Sequence, residues 1–598
     1  ALDNWRKEGK REDLLTNLDL NLKATDWLNI TYRAGLTSKS INERNSSKGE
    51  LPTQGGLDRG FSLIQGAIQE RSYKNTRLSS EAFATFNKAI NEDFKVNGNL
   101  GTYLRQNDIR DTRVGASNLV VTELFNVGNR TGELSGTSPR SRSRLFSLYA
   151  SAGVGYKGWA NLEVTGRQDK TSLLGLNNNT FFYPGVSGSL VLTEAIGALK
   201  NKNTVSYLKL RGAWNKTGNA DINPYLLAAT FSQPLGFPFG SLPGYTANNT
   251  TYDANLEPEF IETIEAGIEA GFLDGRINLE ATYYNQNNDN QIIPISVSSA
   301  TGYTSANVNA ASFINKGIEL DLKLTPLVKL GGVNIEFRAN ATLSDSEIKS
   351  VYEGLNELAI GGFVAAGNFA IKGSPAFVIK ATDYLRDPQG RIIVNATTGF
   401  PTTDPNTKTY GRTLPKWILG LNPSASWKGI SFSTLLEYKG GHYAYHGIGS
   451  DMAWTGVSAA TAQNNRERFV MPNSSINTGT AEAPVYVANT SVAVSNTNDF
   501  FIGAFNNTAS NFLTSAAAWR LREASLGFAV PQRFLAKQGV IKGMNIALTG
   551  RNLFLWVPKT NEFQDPDFNF TSENTAGISD SQINPPTRIF GGNVTITF

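Results

Sequence analysis

The chain has 598 residues, of which 40% are hydrophobic and 18% are charged, and its formal net charge is +4. This near balance of charge argues against a nucleic-acid-binding protein, which needs a strongly basic surface. Because the chain has no cysteine and only two histidines, disulfides, iron–sulfur clusters and thiolate zinc sites are excluded, and little material remains for histidine-based chemistry.

The amino-terminal residues predict β-strands. Residues 1–7 lack the charged-then-apolar pattern of a signal peptide. Apolar and polar side chains then alternate over residues 18–24, and the alternation begins again over residues 28–34, after Thr25 and Asp26. A period of two places successive side chains on opposite faces of a strand. No run of about 18 apolar residues occurs, so no transmembrane helix is predicted.

The same alternation recurs over residues 277–284, 318–325 and 333–342. A soluble sandwich also alternates, but its strands are usually about five or six residues long, whereas these are often ten or more. Roughly nine to eleven residues cross a bilayer as a tilted strand, so the lengths favour a transmembrane β-barrel. In such a barrel Leu320 would face acyl chains and Lys323 would face a wet interior.

The connections between the predicted strands alternate in length. Residues 274–276 and 330–332 form tight glycine-containing turns, whereas residues 226–259, 346–414 and 440–516 form long polar connections. Short turns at one rim and long loops at the other are typical of outer-membrane barrels. Tryptophans near predicted strand ends suit the aromatic girdles of such barrels; these are Trp27, Trp159, Trp214, Trp417, Trp427, Trp519 and Trp556.

The predicted strand pairs lie at 14–25/27–38, 76–92/93–108, 144–157/159–170, 182–193/204–216, 260–273/276–290, 312–325/332–345, 414–428/430–440 and 517–530/543–588 onward. Residues 110–124 add a strand and the first part of 346–413 adds a pair, which gives about 16 to 19 strands. The last strand alternates up to Phe598. An amphipathic strand that ends in phenylalanine resembles the assembly signal of bacterial outer-membrane proteins.

A series of motifs follows in order from residue 207 to the end of the chain. They are LKLRGAWNKTGN at 208–219, NLEPE at 255–259 with EAG at 265–267, NKGIEL at 315–320, LPKW at 414–417, WRLREASLGF at 519–528, GRNLF at 550–554 and PTRIFGG at 586–592. Together they resemble the SusC/RagA family of TonB-dependent outer-membrane transporters. Residues 1–206 resemble the family more loosely, through their strand pattern.

The resemblance implies an all-β fold, a large antiparallel transmembrane barrel of about 22 strands whose lumen is filled by an amino-terminal plug. Neither the plug nor the segment that contacts TonB is recognisable in the sequence. We therefore expect residues 1–598 to form the barrel portion without a separate second domain, with the plug and the first strands missing upstream. The chain would be incomplete, processed, or half of a split protein.

The resemblance also implies a function and partners. The function is import of large nutrients, either glycans or oligopeptides, across the bacterial outer membrane of a member of the Bacteroidota. The partners are a SusD-like surface lipoprotein, TonB–ExbB–ExbD acting through the missing plug region, and outer-membrane lipids including lipopolysaccharide; dimers of SusCD pairs are possible. A barrel without a plug could instead be a surface adhesin or an envelope scaffold, and a soluble all-β carbohydrate-binding protein is a third hypothesis.

Two long connections contain aromatic residues that would contact the solute, because aromatic faces stack on sugar rings and also accept peptide backbones. The candidates are His442, Tyr443, Tyr445 and Trp454 in one connection, and Phe237, Phe239 and Tyr245 in another. The alternative is that these aromatic side chains pack the loops together or against the lipoprotein.

Other polar groups give weaker indications. His442 and His446 are four residues apart, but no carboxylate stands at ligand spacing, so no metal site is predicted. Asp565 and Asp567 flank a proline and could offer oxygens to calcium, although a structural turn accounts for them as well. The basic run 140–144 would face lipopolysaccharide phosphates at the outer rim, or simply solvent.

Motifs typical of enzymes are missing from the sequence. There is no phosphate-binding loop, no H-E-x-x-H zinc motif and no G-x-S-x-G nucleophile elbow. No G-x-G-x-x-G element follows a predicted strand, and no pair of carboxylates stands out as an acid and base. We therefore expect no catalytic residues and no cofactor.

Overall fold

Long runs of alternating side chains make most of the chain into antiparallel strands. The computed structural model describes residues 5–598 except 51, 61, 63, 202, 226, 228–229, 234–236, 238, 536–539, 570–572 and 581–585. The chain divides into two compact units. The first contains Ala1–Gly188, Asn215–Glu259 and Ser299–Thr304; the second contains Ser189–Trp214, Phe260–Ser298 and Ser305–Phe598.

The strands, in chain order, are β1 (Trp5–Lys23), β2 (Leu28–Ser47), β3 (Ala67–Ala89), β4 (Phe94–Ser117), β5 (Ser135–Thr137), β6 (Arg140–Tyr156), β7 (Ala160–Thr171), β8 (Thr180–Val191), β9 (Val205–Asn219), β10 (Phe231–Ser232), β11 (Thr246–Ala247), β12 (Thr250–Tyr252), β13 (Glu259–Phe272), β14 (Ile277–Ser296), β15 (Ser305–Leu330), β16 (Val333–Val351), β17 (Glu357–Gly362), β18 (Ala366–Ile371), β19 (Val378–Ala381), β20 (Ile392–Ile393), β21 (Lys408–Arg412), β22 (Trp417–Trp427), β23 (Ile430–Gly440), β24 (Tyr443–His446), β25 (Ser474–Asn477), β26 (Tyr486–Ala488), β27 (Leu513–Ser515), β28 (Ala518–Ala529), β29 (Gly543–Trp556), β30 (Ile578–Ser579) and β31 (Ile589–Thr597).

The helices are short and lie between strands: α1 (Gln54–Leu57), α2 (Leu192–Ala195), α3 (Gly447–Trp454), α4 (Ala459–Ala462), α5 (Thr497–Asp499) and α6 (Gln532–Leu535), with 3-10 turns at Gly197–Leu199, Ser299–Thr301, Gln463–Arg466, Ala509–Phe512 and Glu573–Thr575 and a π-helical turn at Phe500–Phe505. In the described residues, no helix is long and apolar enough to cross a lipid bilayer.

In the first unit, successive long strands pair with one another. β1, β2, β3, β4, β6 and β7 form antiparallel neighbours in that order, and β5 adds to one end of β4. The registers run without a bulge, so each side chain keeps its face along the whole strand. Leu20, Tyr32 and Leu148 share one face, and Asp19 and Arg33 share the other.

In the second unit, β13, β14, β15, β16, β22, β23, β28, β29 and β31 are antiparallel neighbours in that order. The long connections between them fold into small sheets of their own. These are β17–β18–β19–β21, β20–β25–β26 and β27–β24–β30. The long connections of this unit therefore contain β-sheets of their own.

The apolar face of the long strands is not a dry core. Ile318 and Leu320 are each 43% exposed, and Leu18, Leu20 and Leu22 are exposed as well. The large side chains that are fully buried lie instead in the loop structures of the second unit, for example Phe512 and Ile379. The long strands thus carry an exposed apolar face, as the alternation predicts for a transmembrane strand.

The tight turns and the long connections leave from opposite ends of the strands. In the first unit the turns 90–93 and 157–159 are short, whereas 48–66 and 118–139 are long. In the second unit only residues 331–332 separate β15 from β16, whereas 352–416 separate β16 from β22. The alternation of loop lengths inferred from the sequence is confirmed.

Three details of the predicted strands are wrong. Residues 110–117 continue β4, so 110–124 is not a separate strand. The predicted pair within 346–413 is a small sheet of the loops, because its strands pair with each other. Trp214 lies inside β9 rather than at its end, and its indole N–H donates a hydrogen bond of 2.7 Å to Glu262.

Candidate functional site

The polar face of the second unit's strands lines a cavity of about 770 Å³. Its wall alternates acidic and basic side chains with amides and hydroxyls, because the inward positions of neighbouring strands are polar at every second residue. The charged residues that line it include Arg211, Glu265, Glu280, Glu319, Asp321 and Lys323.

Arg211 of β9 organises one side of this cavity. Glu269 and Glu280 stand directly opposite each other on β13 and β14, where two carboxylates would repel. The Arg211 guanidinium lies 2.5 Å from Glu280 and 3.5 Å from Glu269, and Lys209 lies 3.0 Å from Glu269. The cations therefore hold the two carboxylates together in the wall.

Two glycines leave space for a long side chain to pass over one strand of the cavity wall and reach the next strand. A Cβ on Gly267 would lie 2.8 Å from Nε of Arg211, so Arg211 reaches β14 over a strand position without a side chain. A Cβ on Gly317 would likewise lie 2.6 Å from the ring of Tyr284, whose hydroxyl reaches β16. At each of these two places, one side chain thus connects three neighbouring strands.

The connection that follows β23 contains the first group of predicted solute contacts. Tyr443–His446 form β24, which pairs with β27 on one side and with β30 on the other. Tyr445 is buried in a cluster with Phe512, Ile578 and other apolar side chains, and His442 is also buried. Tyr443 is 37% exposed and Trp454, the last residue of α3, is 62% exposed.

The second predicted group lies in the first unit. Phe237, Phe239 and Tyr245 are all exposed. Phe237 packs over Gly244, where an added Cβ would collide with its ring, and Phe239 forms an isolated bridge with Leu242. These aromatic side chains therefore present free faces on a loop that has its own local packing.

Burial sets the protonation of the two loop histidines. Burial lowers the pKa of His442 to about 4 despite the nearby Asp567 carboxylate, and it lowers the pKa of His446 to about 4. Nε2 of His446 lies 2.9 Å from Oγ1 of Thr514, and its ring packs 5.4 Å from Phe563. Both imidazoles are therefore neutral at pH 7 and serve the packing of the loop.

A network of ion pairs, buried at its centre, connects the loop that contains Asp565 and Asp567 to neighbouring strands. Arg520, whose side chain is 4% exposed, lies 2.6 Å from Asp565, and Arg522 pairs with Asp567. Lys439 of β23 adds a contact of 3.2 Å to Asp567. The carboxylates that the sequence offered as calcium oxygens thus bind side-chain cations of two strands.

Sequence reasoning missed this network, although both of its halves were visible. The motif WRLRE and the segment Asp565-Pro566-Asp567 are more than 40 residues apart, and no local pattern pairs them. The signal that could have indicated it was two arginines on alternate positions of a strand followed by an isolated acidic pair in a loop. Burial raises the pKa of Asp567, but Arg520, Lys439 and Arg522 outweigh burial and lower it overall.

The comparison with protein families decides what this architecture is. The family model described as "TonB dependent receptor-like, beta-barrel" matches residues 2–553. The chain belongs to this family.

Relatives of this TonB-dependent receptor chain are longer proteins. It is 26% identical over 495 residues to the TonB-dependent receptor P26 of Formosa agariphila, covering 77% of this chain and 47% of that protein. It is 24% identical over 345 residues to the TonB-dependent receptor SusC of Bacteroides thetaiotaomicron, covering 55% of this chain and 34% of SusC. The chain thus spans about half or less of the length of these relatives.

Solved structures show the same fold. The RagAB peptide transporter matches all of this TonB-dependent receptor chain with a TM-score of 0.78 and 17% identity, and 63% of the RagAB chain is covered. The RagAB importer in its 'open-open' state matches with a TM-score of 0.76, 18% identity and coverage of 62% of that chain. The SusC/RagA resemblance inferred from the motifs is confirmed.

Family membership identifies the environment of each face of the long strands. The TonB-dependent receptor barrel lies in the bacterial outer membrane, so the exposed apolar face contacts lipid and the polar face lines the interior. The family is one of receptors and transporters. In the described part of the chain, no group of three or more His, Asp or Glu side chains is arranged to hold a metal ion.

Proposed function

We propose that this chain forms the barrel wall of an importer of large nutrients, either glycans or oligopeptides. The polar cavity of the second unit carries the proposal, because it gives a solute a continuous wall of hydrogen-bonding groups inside a barrel of this family. Import would be driven by TonB–ExbB–ExbD through a plug, and a SusD-like surface lipoprotein would deliver the solute. The relationship to the TonB-dependent receptor SusC and the fold shared with the RagAB peptide transporter support this assignment.

The composition of the cavity wall suits solutes with many polar groups. Asp321 and Lys323 are neighbours on the inward face of β15 and lie 3.1 Å apart, so each has a partner before a solute enters. A solute hydroxyl or peptide group can exchange with these contacts at little net cost, because one hydrogen bond replaces another. The wall therefore favours passage of a hydrated solute over tight retention.

The exposed loop aromatics would make the first contacts with the solute. Tyr443 and Trp454 lie on a connection in which β24 pairs with β27 and β30, whereas His442 and Tyr445 are buried. Phe237, Phe239 and Tyr245 would act in the same way on their own loop. A rigid aromatic side chain offers a large apolar face at a small entropic cost, which suits sugar rings and peptide side chains alike.

The energy-dependent part of the proposal is tested by uptake. Cells that express the gene product in its own outer membrane are given labelled oligosaccharide or oligopeptide mixtures, with and without a functional TonB. We expect uptake of one of the two classes, and its loss when TonB is deleted. Uptake that is equal with and without TonB, or no uptake of either class, would contradict the proposed import.

The loop contribution is tested separately in the same assay. Trp454→Ala and Tyr443→Ala should lower uptake at low solute concentration and leave the amount of folded barrel unchanged. Trp427→Ala is the matched control, because Trp427 is also exposed but lies beside the tight turn at 428–429. Equal uptake by all three variants would show that the loop aromatics do not contribute to uptake. It would not contradict the proposed import.

A further inference from the structure

Another cavity lies in the first unit, at the end of the strands from which the long connections leave. Its volume is about 580 Å³, which is the size of sites that bind small molecules. It is formed by the first residues of β1 and β3 and by the last residues of β2 and β4. The long connections 48–66 and 118–134 begin there. Because long loops are extracellular in outer-membrane barrels, the cavity lies on the extracellular side.

The cavity lies on the interior face of these strands. Leu18 and Leu20 of β1 are on the apolar face, so the odd-numbered residues of β1 face the interior. The pairing carries this face from β1 to β2, β3 and β4, and most of the residues that line the cavity belong to it. Two rows of interior side chains therefore form the cavity, one that begins at Trp5 and one that begins at Lys7.

The row that begins at Trp5 provides one large aromatic face beside a shallow floor. It continues over β2, β3 and β4 as Ser47, Ala67 and Ser117. Neighbouring strands are about 4.8 Å apart, so these three small side chains form a floor about 10 Å wide next to the indole. Trp5 is 58% exposed, which leaves much of its apolar ring available to a ligand.

The row that begins at Lys7 provides uncharged hydrogen-bonding groups. Lys7 lies 3.2 Å from Glu43, so its charge is already paired. Asn45 follows on β2 and Gln69 on β3, and each amide can both donate and accept hydrogen bonds. Within the part of the chain that the structure describes, the side chains of Asn45, Gln69 and Ser117 form no hydrogen bonds, which leaves these groups to a ligand.

We propose that this cavity binds a sugar ring of a glycan at the extracellular end of the barrel wall. A sugar ring has an apolar face that would stack on the indole of Trp5. Its hydroxyls both donate and accept, so they would exchange hydrogen bonds with Asn45, Gln69 and Ser117. The inference rests on the proposed function and selects the glycan from its two solute classes.

The test measures binding by the full-length gene product in mild detergent, where TonB plays no part. The probes are neutral hexasaccharides of glucose, galactose, mannose and xylose, with a mixture of oligopeptides for comparison, and isothermal titration gives each affinity. Trp5→Ala removes the stacking face, and Asn45→Ala/Gln69→Ala removes the two amides. Trp27→Ala is the matched control, because Trp27 is also exposed in the first unit but lies at the tight turn between β1 and β2. Heat-modifiable mobility confirms that each variant is folded.

We expect the wild type and Trp27→Ala to bind at least one hexasaccharide equally well, and both site variants to bind it at least about tenfold more weakly. Wild-type affinity in either site variant would overturn the proposal. Absence of hexasaccharide binding by the wild type, or tighter binding of the oligopeptides, would also overturn it. The failure of import is recognised separately, because uptake that is equal with and without TonB contradicts the proposed function while the binding measured in detergent is unaffected.

Discussion

The Tyr284 hydroxyl donates a hydrogen bond of 3.2 Å to Ser344 across the strand that lies between them. Tyr284 is on β14 and Ser344 is on β16, and the residue of β15 beneath the ring is Gly317. A side chain at this position would occupy the space of the ring. One aromatic residue therefore ties three strands of the polar wall together.

The same arrangement recurs elsewhere in the chain. Tyr149 of β6 crosses Gly101 of β4, and its hydroxyl donates a hydrogen bond of 2.7 Å to Glu81 of β3. Arg211 crosses Gly267 in the same manner. Glycine in these strands thus provides space for a neighbour's side chain, at the conformational cost that glycine brings to a strand.

Replacing Gly317 by alanine should destabilise the barrel by roughly 1–3 kcal/mol, the usual cost of overpacking. The new Cβ would lie 2.6 Å from the Tyr284 ring and 2.6 Å from the Leu343 carbonyl oxygen, and a backbone oxygen cannot move aside. The midpoint of guanidinium unfolding in lipid vesicles measures the effect. Gly212→Ala is the control, because its nearest contact would be an ordinary 3.7 Å. Equal midpoints for the two variants would contradict the crossing arrangement.

Leu320→Arg should cost roughly 2–4 kcal/mol of barrel stability, because it places a charge against acyl chains near mid-strand. Leu320 stands opposite Ala281 and Ala341 on the exposed apolar face. Lys323→Ala, on the interior face, should cost far less. Refolding into lipid vesicles measures both changes, and equal effects would show that the two faces are assigned the wrong way round.

Strand faces could be predicted from the sequence because alternation is a local property. The inward and outward positions of β15, from Ile318 to Lys323, follow from period two alone, and the register of the pairing preserves them over neighbouring strands. The bounds of long strands were less predictable. β15 begins at Ser305, where its backbone pairs with the end of β14 and Ala306 and Val308 are buried in an apolar cluster. A strand end made of small side chains and asparagines looks like a loop until its partners are known.

The candidate site could be predicted only in part. Tyr443 and Tyr445 are equivalent in the sequence, yet one is exposed and the other is buried. Both lie on the same side of β24, because residues two apart in a strand share a face. Tyr445 stands beside Ile578 of β30 and packs with Phe512, whereas Tyr443 is the first residue of the strand, so segments distant in the sequence decide the burial of each ring. The Arg211 bridge was unpredictable for a related reason, because its partner Glu280 is 69 residues away.

Arg520→Gln should release the loop that contains Asp565 and Asp567. It would leave the buried Asp565 carboxylate without its cation, which typically costs about 3–5 kcal/mol, while Asp567 keeps Arg522 and Lys439. Limited proteolysis should cut the segment 557–588 at least tenfold faster than in the wild type. Arg551→Gln is the control, since its pair with Glu523 is largely exposed and such pairs contribute little. An unchanged cleavage rate in Arg520→Gln would show that the network does not hold the loop.

Acidification should loosen the loop core around β24. The pKa values of His442 and His446 are lowered by burial to about 4, below the value of about 6.5 for an exposed histidine, so the unfolded loop takes up protons before the folded loop does. The loop is therefore fully stable above pH about 6.5 and loses stability as the pH falls from 6.5 towards 4, by up to about 3 kcal/mol for each histidine.

Hydrogen exchange of the peptides that contain residues 441–446 and 513–515 measures this loosening once intrinsic exchange rates are corrected for pH. Protection should fall between pH 7 and pH 5 in the wild type, while that of β15 stays constant. A His442→Gln/His446→Gln variant lacks the titrating groups, so its protection should be independent of pH over the same range. A wild-type loop that keeps its protection down to pH 4 would show that the imidazoles remain neutral or gain a partner when they are protonated.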